Sequence, residues 1–225
     1  MIDLYHCVDA RSFRPLWVLE EMRLEYRLHV MPFPPRATTP EYKKLNPLGT
    51  IPLLLDGAVR MTESSAIGHY LAVHYGPSPL AVDAAEADFG AFLNWNVFGE
   101  ATLTFPQTLV LRYRYFEPPE RRQPQVADDY AKWFLARLRA IETALDDRDY
   151  LCAQRFTVAD VSVGYALMLA STIGLADQFG PRVTAYWARL TQRDGFHRAQ
   201  RAQQAAADAA GLRLGTFGIP ATPGA

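Results

Sequence analysis

The chain has 225 residues, 49% hydrophobic and 21% charged, with a formal net charge of −1. Such a length buries a core without metals or cross-links, and the balanced charge, with no basic run, argues against a nucleic-acid partner. Two cysteines, Cys7 and Cys152, are too few for a disulfide framework and fit a reducing cytoplasm; no Cys/His spacing reads as a metal site, and no secretion signal or 18-residue apolar run is found.

In chain order, residues 2–7 predict a strand. Residues 12–24 predict a helix with Leu16, Leu19 and Met22 on one side, Ser12 as N-cap, and Pro15 in the first turn, where a missing N–H does no harm. A second strand follows at 26–31, then a loop with at most one short helix. Residues 51–55 and 59–61 flank Asp56-Gly57, a two-residue hairpin signal. Residues 63–75 predict a helix with Ile67, Tyr70, Leu71 and His74 on one side. The order β-α-β, loop, β-β-α suits a small mixed sheet with helices on its faces.

The chain changes character around Gly76, Pro77 and Pro79, and beyond them the periodicity is helical. Residues 84–113 predict one long helix kinked at Pro106. Residues 124–145 predict a second, with Val126, Tyr130, Trp133, Leu138, Ile141 and Leu145 facing inward. A third begins at Thr157-Val158-Ala159-Asp160, a capping-box-like start, and its apolar continuation over 161–170 predicts a buried helix. Shorter helices are expected at 185–190 and 196–210, then a Gly- and Pro-bearing tail. The expected division is a first domain over 1–76, a linker over 77–83, an all-helical domain over 84–214 and a tail over 215–225.

Three local features suggest chemistry. In Asn46-Pro47-Leu48-Gly49-Thr50-Ile51-Pro52, a cis bond before Pro52 would leave the Ile51 N–H and C=O free for a ligand; the alternative is a plain turn into a strand. In Thr62-Glu63-Ser64-Ser65, a helix start offers backbone N–H groups and the Ser64 hydroxyl to a carboxylate, with Glu63 suited to an amino group; a simple N-cap would also account for the serines. The run from Tyr5 to Arg14 is a polar strand-to-helix crossing, a usual place for ligands.

Taken together these segments resemble the cytosolic glutathione transferases. The likeness runs through Leu4-Tyr5, Ser12-Phe13-Arg14, Leu19-Glu20-Glu21, Leu45 to Pro52, Glu63-Ser64, Ile67, Tyr70-Leu71 and Phe156 to Asp160. The resemblance implies a thioredoxin-like α/β first domain and an all-α helical-bundle second domain. It implies a homodimer that takes glutathione and a small hydrophobic electrophile. By position, Ile51 next to Pro52 would pair with the cysteinyl unit, Glu63 and Ser64 would hold the γ-glutamyl end, and Thr50 and Arg36 would lie near the glycyl carboxylate. Asp160 would serve folding and capping.

A free thiol, with a pKa of about 8.5, is only a few per cent ionised at neutral pH, so such an enzyme gains rate by stabilising the thiolate. The family's usual Tyr, Ser or Cys at the end of the first strand is not clearly present: Ala10 stands where relatives with a Ser-Arg-x-x-Arg segment carry the hydroxyl. Ser12, by side chain or backbone N–H, assisted by Arg11, is the first candidate for the catalytic role, Tyr5 the second and Cys7 the third. Arg11 and Arg14 also read as surface or interface charges. Phe98, Thr102, Phe105, Leu109 and Tyr113, at helical spacings, are candidate walls for the electrophile. The alternatives are a glutathione-dependent isomerase, lyase or dehalogenase, and a non-catalytic glutathione-binding module, which Ala10 favours.

Overall fold

The computed structural model describes residues 1–212; the tail expected from Gly215 lies outside them. Two compact units are found. Among the described residues one comprises Met1–Ser78 with the chain from Gln192 to Leu212, the other Pro79–Thr191. The last helix, expected with the helical half, thus packs with the first unit.

The first unit holds a four-stranded sheet in the order β2-β1-β3-β4, with β1 (Ile2–His6), β2 (Tyr26–Val30), β3 (Leu53–Asp56) and β4 (Val59–Met61). β1 runs parallel to β2 and antiparallel to β3, which pairs antiparallel with β4. This is the expected thioredoxin-like arrangement. Asp56 pairs with Val59, so the tight loop is Gly57-Ala58, with Gly57 at φ +57°, one residue later than the Asp56-Gly57 expected. The left-handed region favours glycine, so the glycine sets the turn, one step after its neighbour.

α1 (Phe13–Met22) and α3 (Ser64–His74) pack against each other, and a four-residue turn of helix, α2 (Pro35–Thr38), lies between β2 and β3. β1 alternates as strand geometry requires: Ile2, Leu4 and His6 are buried, while Asp3 and Tyr5 face the other way.

In the second unit, α4 (Phe89–Val97) and α5 (Phe105–Leu111) form one run of helix, joined by a π-helical stretch at Phe98–Thr104 and extended by another at Arg112–Phe116. The run starts at Phe89, five residues later than expected. Pro106 is accommodated by the π turn: proline supplies no N–H and crowds the carbonyl four residues back, and a wider turn relieves both. Side chains add bonds to neighbouring carbonyls of the stretch, with Thr104 Oγ1 donating to that of Gly99 at 2.7 Å and Gln107 Nε2 to that of Leu103 at 3.1 Å.

α6 (Pro124–Ala144) buries Ala127, Ala131, Phe134, Leu138 and Ile141. Trp133, expected inward, is half exposed; it stacks on Tyr130 at 5.6 Å with Arg137 over its ring at 4.8 Å. The buried stripe passes through the neighbouring Phe134, so small alanines complete it and the indole is left outside. α7 (Val158–Thr172) is buried almost throughout and opens with a full capping box. Asp160 accepts from the backbone N–H of Thr157 (2.8 Å) and Leu151 (3.1 Å) and from the hydroxyls of Tyr186 (2.7 Å) and Thr157 (3.2 Å). α8 (Pro181–Thr191) closes this unit.

α9 (Asp194–Ala209) belongs to the first unit and lies on α1 and β2. Phe196 meets Phe13 and Trp17 edge-on, at 5.6 and 5.0 Å between ring centroids. Two ion pairs flank that contact, Arg193 with Glu21 at 2.8 Å and Arg198 with Glu20 at 3.3 Å.

Candidate functional site

The topology of the first unit brings the three chemistry-bearing segments to one end of its sheet. Tyr5 pairs with Leu53, so continuing that antiparallel register sets Cys7 opposite Ile51. β4 returns alongside β3 and delivers Glu63 and Ser64 to the same end. The loop after β1, the residues before β3 and the start of α3 thus converge.

The Ile51–Pro52 peptide is cis, and no hydrogen bond of the Ile51 backbone is found among the described residues. Beside it, Asn46 Nδ2 and the Tyr42 hydroxyl each donate to the Thr50 carbonyl at 2.8 Å, fixing the approach to β3. Gly49, at φ +61°, lies so close to Arg36 that a Cβ there would fall 2.7 Å from the arginine Cβ. The glycine therefore answers both a left-handed backbone and a close approach, and it brings α2 against the segment carrying Thr50 and Ile51. Both Arg36 and Thr50 are exposed.

At the start of α3, Glu63 is exposed and Ser64 is buried. Arg14 of α1 donates from Nη1 to the Ser64 hydroxyl at 3.0 Å. Arg14 is only 1% exposed, which corrects the reading of it as a surface or interface charge. A guanidinium under the first turn of α3 adds positive charge where the helix N-terminus already attracts an anion.

The candidates at the β1–α1 crossing are placed unequally. Ser12 is fully buried, accepting from the Cys7 N–H at 3.3 Å and donating to the Cys7 carbonyl at 3.4 Å. Its side chain does not cap α1, contrary to expectation, because those bonds fold it back on the strand end. Arg11 is half buried and Ala10 buried. Tyr5 stacks on His29 at 4.5 Å and lies 5.6 Å from Tyr42, within an aromatic cluster on one face of the sheet. Cys7 is buried, and burial pushes its thiol up to about 12, leaving it an inert filler.

The structure also assembles a polar cluster that sequence reading missed. His6 at the end of β1, Asp9 in the loop and Gln203 on α9 meet beside the crossing, with His6 Nε2 3.1 Å from Gln203 Oε1. Burial lowers the His6 pKa to about 4, against a smaller upward pull from Gln203, so the imidazole is neutral at pH 7. Nearly two hundred residues separate the partners, and no local pattern marks such a pair.

In the second unit, Phe98, Thr102, Phe105, Leu109 and Tyr113 follow one face of the α4–α5 run, and all five keep some exposure. The buried face of that run passes instead through Phe92, Gly99, Leu103, Gln107 and Val110. Among the described residues no group of three or more His, Cys, Asp and Glu could hold a metal ion, and no helix is long and apolar enough to cross a membrane.

A family model described as the glutathione S-transferase N-terminal domain matches residues 10–74, which take in the three converging segments apart from β1 and the loop as far as Asp9. Glutathione S-transferase 3 of Schizosaccharomyces pombe is 39% identical over 105 residues, 46% of this chain and 43% of that protein, so the chain is matched to less than half the length of this relative. Glutathione S-transferase 2 of Anopheles gambiae is 27% identical over 77% of this chain and 82% of its own. Among solved structures, Ure2p5 of Phanerochaete chrysosporium, cocrystallized with 1-(S-glutathionyl)-2,4-dinitrobenzene, has the same fold at 22% identity, with a TM-score of 0.80 over 95% of this chain and 98% of that one.

Proposed function

We propose that this chain is a member of the cytosolic glutathione S-transferase family, and that it activates the thiol of glutathione as a thiolate and adds it to a hydrophobic electrophile. The observation that carries this reading is the convergence, at one end of the sheet, of the Ile51 backbone, the Ser64–Arg14 pair and the β1–α1 loop. Ile51 next to Pro52 would bond the cysteinyl unit as a strand would. Ser64 and the first turn of α3, with Arg14 beneath, would take the γ-glutamyl carboxylate, and exposed Glu63 its amino group. Arg36 and Thr50 would meet the glycyl end.

The thiol would then lie at the β1–α1 crossing. Because the Ser12 hydroxyl is turned to the Cys7 backbone, and the Phe13 and Arg14 N–H groups are taken by the Ala10 and Arg11 carbonyls, the proposed stabilisation of S⁻ comes from the Ser12 backbone N–H and from the charge of Arg11. Each pKa unit removed is worth about 1.4 kcal/mol and a tenfold gain in thiolate at pH values below the pKa. Phe98, Thr102, Phe105, Leu109 and Tyr113 are the proposed contacts for the electrophile, and the adduct in the Phanerochaete structure names a fitting class, an activated arene. We further propose a cytoplasmic homodimer, which gel filtration of the purified protein would test.

Ala10 favours one rival, a glutathione-binding module without turnover, because no reachable hydroxyl or thiol is found at that position. Calorimetric titration with glutathione and a turnover assay with 1-chloro-2,4-dinitrobenzene separate the two. The transferase reading expects both binding and conjugation above the uncatalysed rate. Binding with no conjugation of any activated arene or alkyl halide would support the module, and failure to bind glutathione would reject both.

A further inference from the structure

Gln203 lies on α9, far in sequence from every residue assigned above, and is almost fully buried. Its amide uses all of its hydrogen-bonding capacity. The backbone N–H of Asp9 donates to Oε1 at 3.1 Å, which fixes which end of the amide is oxygen, since a peptide N–H can only donate. The second contact to that oxygen, His6 Nε2 at 3.1 Å, must then also be a donor, so His6 carries its proton on Nε2. The two hydrogens of Nε2 go to Asp9 Oδ1 at 2.6 Å and to Gln200 Oε1 at 2.7 Å. Gln203 therefore grips both the backbone and the side chain of Asp9.

Asp9 stands in the middle of the β1–α1 loop with φ +53°, a left-handed conformation that a non-glycine residue adopts only when its surroundings hold it there. Within the loop the anchors are local, with Phe13 N–H reaching the Ala10 carbonyl at 2.8 Å and Arg14 N–H that of Arg11 at 3.2 Å. Ala10 N–H reaches the Cys7 carbonyl at 3.1 Å, and Ser12 makes its two long bonds to Cys7. The bonds from Gln203 tie it in addition to α9, which is clamped to α1 by Phe196 and the two arginine–glutamate pairs.

We infer that Gln203 is a positioning residue for thiolate formation: through Asp9 it holds the β1–α1 loop in the shape that aims the Ser12 backbone N–H towards the bound thiol. The inference rests on the transferase reading and adds to it an element, α9, outside the residues that the family model matches. Electrostatic stabilisation of a developing anion requires donors fixed before the charge appears, and a loop free to relax loses that advantage without losing the ligand's other contacts.

The test follows the thiolate absorbance of protein-bound glutathione in the ultraviolet across pH, with glutathione affinity measured alongside. In Gln203→Leu the bound thiol pKa should rise by about one unit, a tenfold loss of thiolate at lower pH, while affinity changes less than threefold. Because Gln203→Leu also removes buried bonds and can unfold, a polarity swap keeps the test decisive. Gln203→Glu places a carboxylate against Asp9 and should raise the thiol pKa; adding Asp9→Asn to that variant restores a donor–acceptor pair and should bring the pKa back. A thiol pKa equal to the native value in both single variants overturns the inference, as does a raised pKa in Gln203→Glu that Asp9→Asn fails to correct. If native protein leaves the thiol unshifted, the transferase reading falls first and the inference with it.

Discussion

Ser64 and Arg14 show how a residue's neighbours decide what its chemistry is for. Ser64 was legible from sequence as a polar residue opening a helix. That a buried guanidinium stands behind it was not, because hydropathy places arginine outside and the pair is fifty residues apart. Ser64→Ala should weaken glutathione binding by roughly 1–3 kcal/mol, the worth of a hydrogen bond to a charged group, and calorimetry reads it directly. Ser12 makes the opposite case. Its position at the crossing was legible, but the direction of its hydroxyl was set by the turn that brings it back to Cys7. Ser12→Ala should therefore cost about 1–3 kcal/mol of stability, from the buried Cys7 peptide left short of partners, and should leave glutathione affinity nearly unchanged. A urea midpoint unaltered from the native one would show that those bonds contribute nothing.

At the scale of elements, the strands and helices were read with their ends displaced by one to a few residues, for identifiable reasons. The hairpin loop moved one step because the left-handed turn needs Gly57 inside it. The long helix keeps its course past Pro106 with a π stretch over Phe98–Thr104 immediately before it, a local change of pitch that no periodicity announces. On α6 the inward stripe uses Ala127 and Ala131, and a reading that favours large residues prefers Trp133 instead. The capping box at Thr157 was fully legible because every participant lies within four residues. Packing is tight where α7 crosses the π stretch: a Cβ on Gly99 would fall 2.5 Å from the Ser162 backbone carbon, and Ser162 Oγ donates to the Asn96 carbonyl at 2.7 Å. Gly99→Ala should force the two helices apart and destabilise the second unit by about 1–3 kcal/mol or more. Thermal melting would detect that loss, and an unchanged midpoint would contradict the crossing.

For the whole molecule, buried ionisable groups give the two units opposite responses to acid. His6 in the first unit titrates near 4 when folded, below its usual 6.5, so between those values the unfolded chain binds a proton that the folded one refuses. Its contribution is present above 6.5 and is lost as pH falls. Asp160 in the second unit is raised to about 6 by burial, which outweighs its four hydrogen bonds, so there the folded state binds the extra proton. Its contribution is present at low pH and is lost as pH rises through 6. Lowering pH from 6.5 to 5 should cost the first unit about 2 kcal/mol through His6 and return about 1 kcal/mol to the second through Asp160. Hydrogen exchange, corrected for the intrinsic pH effect, should show core amides of β1 and α1 losing protection while those of α7 gain it. Protection moving the same way in both cores would remove this assignment.

The whole-molecule plan was the most legible level, since the β-α-β, loop, β-β-α order and the helical remainder both survive in the structure. The exception is α9: its periodicity marked a helix, but only tertiary packing through Phe196 and Gln203 assigns it to the first unit. The account as a whole turns on the thiol. The most direct measurement is the ultraviolet thiolate titration of glutathione bound to the native protein. A thiol pKa at least one unit below the free value of about 8.5 is the result the account predicts; saturable binding with the thiol still titrating at its free value would contradict it.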